Sequence, residues 1–166
     1  MDNIDATIME DIVIKSVIKV CKREELSENE RKLIDSAIES TNNSYSPYSH
    51  FRVGAAVLLD DGNIIPGCNQ ENAAFGVTIC AERSALFAAG AMHPEKKVVA
   101  IAIAARDENG NLLEQPVTPC GSCRQALIEA ETRYGGKIAI LLYGTNAIYR
   151  IDGIAQLMPL SFSTYS

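Results

Sequence analysis

Apolar residues follow a helical rhythm at the start of the chain. Ile4, Ile8 and Ile12, then Val13, Val17 and Cys21, stand at near-helical spacing and predict an amphipathic helix over residues 4–23. Ser27, with Glu30 three positions on, has the form of a capping box. It opens a second helix whose face carries Leu33, Ile34, Ala37 and Ile38 and which ends near Asn42-Asn43. The period then changes. Residues 51–59 (FRVGAAVLL) read as a strand, Asp61-Gly62 as a tight hairpin turn, and residues 63–69 as the returning strand, with an irregularity expected at Pro66-Gly67. Residues 81–92 form an alanine-rich helix stopped by His93-Pro94. Residues 98–105 (VVAIAIAA) are apolar throughout, as in a strand buried on both faces. Thr118 suits an N-cap and Pro119 a first helical position for a helix from about 120 to 134, closed by Gly135-Gly136. Residues 137–143 form another buried strand, 147–151 a short one, and a brief helix precedes Met158-Pro159.

Buried strands alternating with helices imply an α/β protein: a three-layer α/β/α single domain with a mixed, mostly buried sheet. Residues 1–25 are set apart as a helical extension, and 26–166 as the domain proper. With 47% hydrophobic and 22% charged residues, the chain is neither disordered nor a small disulfide-held scaffold. No apolar run approaches the ~20 residues needed to cross a bilayer, so no membrane partner is expected. A net charge of −6 and a pI of about 4.9 argue against a nucleic-acid partner, which would need a basic face. The acidic N-terminus lacks the basic opening of a secretory signal. Five cysteines, an odd number, fit a disulfide framework poorly, so a reducing, cytoplasmic setting with free thiols is expected.

Three of those cysteines fall at predicted helix starts. Cys80 opens one helix in Thr78-Ile-Cys-Ala-Glu-Arg83, and Cys120 and Cys123 open another in Pro119-Cys-Gly-Ser-Cys-Arg-Gln125. Unpaired N–H groups and the helix dipole favour thiolate there, the form that binds metal. If the two helices start side by side, three sulfurs meet around one ion and leave a fourth position open, as in a catalytic zinc site. Glu82, two residues after Cys80, then places a base beside a metal-activated water. Arg83 and Arg124 add adjacent cations. Two other readings compete: a redox pair at Cys120-Gly-Ser-Cys123, and a closed structural zinc site completed by Cys68. The redox pair leaves Cys80 and Glu82 unexplained, and Cys68 suits core packing better. His50 and His93 lack metal-ligand spacing.

The chain resembles the cytidine deaminase family, in its small homotetrameric zinc-dependent form. The resemblance runs over Ser46-Pro-Tyr-Ser-His-Phe-Arg-Val-Gly-Ala-Ala56, Gly67-Cys-Asn-Gln-Glu-Asn-Ala-Ala-Phe-Gly76, Cys80-Ala-Glu-Arg83, Pro119-Cys-Gly-Ser-Cys-Arg-Gln125 and Leu157-Met-Pro-Leu-Ser-Phe162. It implies that Cys80, Cys120 and Cys123 hold one Zn²⁺ per subunit and that Glu82 shuttles protons. It implies that Asn69 and Glu71 bind the ribose 3′-hydroxyl, that Phe51 packs on the nucleoside, and that the Ala81 backbone meets the pyrimidine. Arg83 and Gln125 resemble the donors that offset thiolate charge, and Phe162 an aromatic that reaches a neighbouring subunit's site. The implied reaction hydrolyses cytidine and 2′-deoxycytidine to uridine and 2′-deoxyuridine with release of ammonia, in pyrimidine salvage. Other aminopyrimidine nucleosides or polynucleotides are alternative substrates. The Asn69-x-Glu71 pair favours ordinary nucleosides, while the acidic charge and Cys-x-Glu in place of His-x-Glu disfavour polynucleotides. Without the resemblance, Asn69 and Glu71 read as a strand-end turn and Phe51 as core. Phe75 stands where the family often has tyrosine, and residues 4–23 exceed its usual N-terminus.

Overall fold

The computed structural model describes residues 10–163. Helix α1 (Glu28–Ser40) starts at the capping box: the Ser27 hydroxyl accepts the Glu30 N–H, and the Glu30 carboxylate accepts the Ser27 N–H at 2.9 Å. Strands β2 (Arg52–Leu59) and β3 (Ile64–Cys68) form the hairpin, with Gly62 at φ 89° in its turn. Helix α2 (Ala81–Met92), strand β4 (Val98–Arg106), helix α3 (Gly121–Tyr134), strand β5 (Ala139–Tyr143) and strand β6 (Ile148–Asp152) follow. Gly135 takes the left-handed conformation that closes α3, and a single 3-10 turn (Ile154–Gln156) stands where the brief helix was expected.

The six strands form one sheet in the order β1-β6-β5-β4-β2-β3, where β1 is Lys19–Cys21. Only β4 and β5 are parallel; the other neighbours are antiparallel, so the sheet is mixed. Helices cover both faces, giving the expected three layers. Strand alternation decides which side chains meet which helix. Val57, Leu59, Ile101, Ile103, Ile140 and Leu142 join the core with α2 and α3. Ala56, Ala100, Ala102 and Ala104 face α1 with Leu33, Ile34 and Ala37. That alanine face lets α1 lie close: a Cβ on Gly54 would stand 2.1 Å from the Ala37 carbonyl.

Three expectations need correction. Among the described residues of 4–23 there is no helix: residues 10–18 carry no regular element, β1 pairs with β6, and a 3-10 turn follows at Arg23–Glu25. The reason is local and tertiary together. Ile12, Val13, Ile14, Val17, Ile18 and Val20 are β-branched, which favours extended chain, and β6 offers an open edge for β1. Residues 4–9 lie outside the described chain. The irregularity expected at Pro66-Gly67 is also missing. Both residues hold register with β2, because β3 is an edge strand and the missing Pro66 N–H faces no neighbour. The register shift lies instead at Leu58/Leu59 against β4. Finally, the cap of α3 is Cys120 rather than Thr118.

Candidate functional site

Topology brings two helix tips together. Strands β3 and β4 both run antiparallel to β2, so they point the same way and end at the same end of the sheet. The chain leaving β3 leads into α2, and the chain leaving β4 leads into α3. Cys80 is the N-cap of α2 and Cys120 the N-cap of α3, and neither side chain caps its own helix. Their sulfurs face each other at 3.8 Å, and Cys123, buried one turn into α3, stands 3.5 Å from Cys120. All three sulfurs lie within 4.8 Å of one another. Tetrahedral ligands about 2.3 Å from a zinc ion stand about 3.8 Å apart, so this spacing fits that metal.

The charge balance favours the same use. The Cys80 thiol is lowered to about 5 because the Cys123 thiol and the Arg83 guanidinium donate to its sulfur; the Arg83 Nη2 lies 3.8 Å away. Cys123 is pushed up, since it donates to Cys80 and is buried. A soft, anionic donor set results, with a cation beside it. The Arg83 Nε is buried without a partner among the described residues, which leaves donor capacity beside the sulfurs. Cys68 lies outside this cluster: its sulfur donates to the Asn43 carbonyl at 3.2 Å, so the four-thiolate alternative does not form.

A cavity of about 290 Å³ opens beside the sulfurs, and Phe51, Asn69, Glu71, Cys80, Ala81, Glu82 and Cys120 all line it. Glu82, in the first turn of α2, is only 6% exposed. Burial, with the Cys80 charge added, raises its carboxyl above the ordinary glutamate value. Asn69 is buried and already bonded: its Oδ1 accepts the Ser44 hydroxyl at 2.5 Å and the Val53 N–H at 2.8 Å, and its Nδ2 donates to the Phe51 carbonyl at 2.9 Å. Glu71 accepts the Ser49 hydroxyl and the backbone N–H groups of Tyr48 and Ser49, which hold its carboxyl below the ordinary value.

The remaining residues sit apart from the cavity wall. The Gln125 amide donates to the Phe162 carbonyl at 2.8 Å, so it fastens the C-terminal chain, and the Phe162 side chain lies exposed. Phe75 is exposed and meets the Tyr48 ring edge-on, with centroids 6.1 Å apart. His93 caps the end of α2. Sequence reasoning missed the site residues Ser49, Thr78, Val117 and Thr118. Ser49 and Thr78 carried a signal, since they lie inside the Ser46–Ala56 and Thr78–Arg83 motifs, and Thr118 was read only as a helix cap; Val117 is a loop residue brought in by folding.

Three sulfurs at metal spacing, two of them on a small-molecule cavity that a buried carboxylate also lines, fit one class: a metal-dependent hydrolytic enzyme. The model of the cytidine and deoxycytidylate deaminase zinc-binding region matches residues 27–134. The chain is 48% identical over 97 residues to the cytidine deaminase of Halalkalibacterium halodurans, covering 58% of this chain and 68% of that one. It is 38% identical over 132 residues to that of Sporosarcina psychrophila, covering 80% and 90%. The crystal structure of cytidine deaminase from Burkholderia pseudomallei is similar with a TM-score of 0.69 and 34% identity, over 82% of this chain and all of that one. This chain belongs to the cytidine and deoxycytidylate deaminase family, whose members bind zinc and act hydrolytically. Among the described residues no helix is long and apolar enough to cross a membrane.

Proposed function

We propose that this protein deaminates cytidine and 2′-deoxycytidine to uridine and 2′-deoxyuridine with release of ammonia, as a step of pyrimidine salvage. The observation that carries the reading is the sulfur trio at zinc spacing with Glu82 buried on the same cavity. Cys80, Cys120 and Cys123 would hold the metal. Bound zinc supplies the Lewis acidity that makes water a nucleophile near neutral pH.

Every other step belongs to the chain. Glu82 takes a proton from the attacking water and delivers it to ring N3, then takes the proton of the new C4 hydroxyl and passes it to the amine, which leaves as ammonia while the C4 carbonyl forms. Burial suits this alternation, because a carboxyl raised above its ordinary range takes up a proton more readily and can still return it. The second Asn69 amide N–H and the Glu71 carboxylate bind the sugar hydroxyl, which selects a nucleoside over a free base: a ligand without that hydroxyl leaves the second N–H of the buried Asn69 unpaired. Phe51 packs along the nucleoside and the Ala81 backbone meets the pyrimidine edge. Arg83 offsets thiolate charge. Gln125 acts on the C-terminal chain instead, placing Phe162 for a neighbouring subunit's site in a homotetramer. Residues 1–25 stand as an extension to the catalytic domain, and the free thiols suit the cytoplasm.

The test is the ultraviolet change of cytidine incubated with the purified protein, with and without a zinc chelator. The absorbance should fall with untreated protein and hold steady after chelation. No turnover by zinc-loaded protein overturns the reading.

A further inference from the structure

Arg124 follows Cys123 on the first turn of α3 and takes no part in the reaction above. Its side chain joins two distant pieces of backbone. The Nε donates to the Pro119 carbonyl at 2.9 Å, and the Nη1 donates to the Leu157 carbonyl at 2.6 Å. Pro119 is buried and directly precedes Cys120. Leu157 is partly buried against the main core. One flat guanidinium therefore fastens the loop entering α3 to a chain segment that is itself anchored in the core. The next residue adds a second fastening, through Gln125 to the Phe162 carbonyl.

Cys120 needs such support more than its two companions. Cys123 is buried inside the helix, and Cys80 is half-buried with Arg83 on its sulfur. Cys120 is exposed and extended, at φ −67° and ψ 168°, and its side chain makes no capping bond. Its position is set by α3 on one side and by the Pro119 peptide on the other.

We propose that Arg124 is a positioning residue for the metal centre: by tying the Pro119 carbonyl to the Leu157 carbonyl it fixes Cys120 at the distance the other two sulfurs require. This rests on the zinc reading given above. Two donors in one rigid plane are what arginine supplies and lysine does not. Without them a buried carbonyl loses its partner, and the chain beside Cys120 relaxes. Losing the outer support of a metal ligand typically weakens metal affinity or activity by about 10- to 100-fold.

The test compares the full-length protein with Arg124→Gln and Arg124→Lys. Zinc affinity is read by competition with a chromophoric chelator, and thermal unfolding of the zinc-free proteins is read alongside. Arg124→Gln should hold zinc about 10- to 100-fold more weakly. Arg124→Lys keeps the stem and the charge and should fall between that variant and the original; it decides the matter if Arg124→Gln does not fold. At saturating zinc, kcat should drop while KM stays within about a factor of two. Unchanged zinc affinity in either folded variant overturns the proposal, and so does a lower unfolding temperature with zinc affinity intact, which marks a plain structural strut. Failure of the unsubstituted protein to bind zinc removes the metal-centre reading instead.

Discussion

Gly67→Ala tests how closely the metal-bearing helix must lie on the sheet. Gly67 sits on β3 directly under α2. A Cβ built there stands 2.4 Å from the Ala85 nitrogen, 2.8 Å from the Ala85 Cα and 2.9 Å from the Ala81 carbonyl. Ordinary contact begins at 3.4 Å, so α2 would have to retreat by about 1 Å, the difference between 3.4 and 2.4 Å. All three atoms are backbone, so no side chain can rotate away. Overpacking of this kind costs about 1–3 kcal/mol, and alanine in a strand returns about 0.5–1 kcal/mol relative to glycine. The net is a loss of about 1 kcal/mol, or roughly 2–4 °C in Tm for a chain of this size. The retreat also carries Cys80 and Glu82 with it, and a misplacement of about 1 Å can lower a rate by about 100-fold. Scanning calorimetry of the zinc-free protein reads the first effect; the cytidine absorbance assay with zinc present reads the second. Gly90→Ala is the control on the same helix. Its Cβ would meet nothing closer than 3.8 Å, and it should stabilise by up to about 1 kcal/mol. Should Gly67→Ala melt and turn over like the original protein, the close approach of α2 to β3 does not set the site.

Other outcomes follow from single contacts. Glu82→Gln should keep zinc and melting temperature while losing deamination; full activity in that variant would remove Glu82 from the chemistry. Asn69→Ala frees the Val53 N–H and the Phe51 carbonyl as well as the sugar contact, so it should lower stability by about 1–3 kcal/mol and raise KM; unchanged kinetics would count against the sugar role. Partial burial raises the Glu30 carboxyl, but the Ser27 N–H and the Arg150 guanidinium at 2.8 Å outweigh it and hold the group below its ordinary value. A depressed carboxyl stabilises the fold above the ordinary carboxylate range, and that contribution is lost as pH falls through the folded value. Glu30→Gln should therefore cost about 1–2 kcal/mol at pH 7 in urea unfolding of zinc-free protein, and the gap should close in acid; a gap independent of pH would contradict this.

The sequence alone determined the alternation of elements, the capping box at Ser27, the hairpin at Gly62, and the three cysteines with Glu82 at helix starts. These are written in spacings of a few residues, where periodicity and capping chemistry act locally. Its error at the N-terminus has the same origin. Residues 12–20 carry a helical spacing and β-branched side chains at once; the open edge of β6 takes up Lys19–Cys21 as a strand, and residues 10–18 form no regular element. The tertiary structure alone decided the rest. Cys80 and Cys120 lie 40 residues apart in sequence, and their sulfurs meet because β3 and β4 run in one direction beside β2. It also turned the Gln125 amide to the C-terminal chain and bound Arg124 to the Pro119 and Leu157 carbonyls. Long hydrogen-bonding side chains have many partners within reach, and only the packed backbone selects among them.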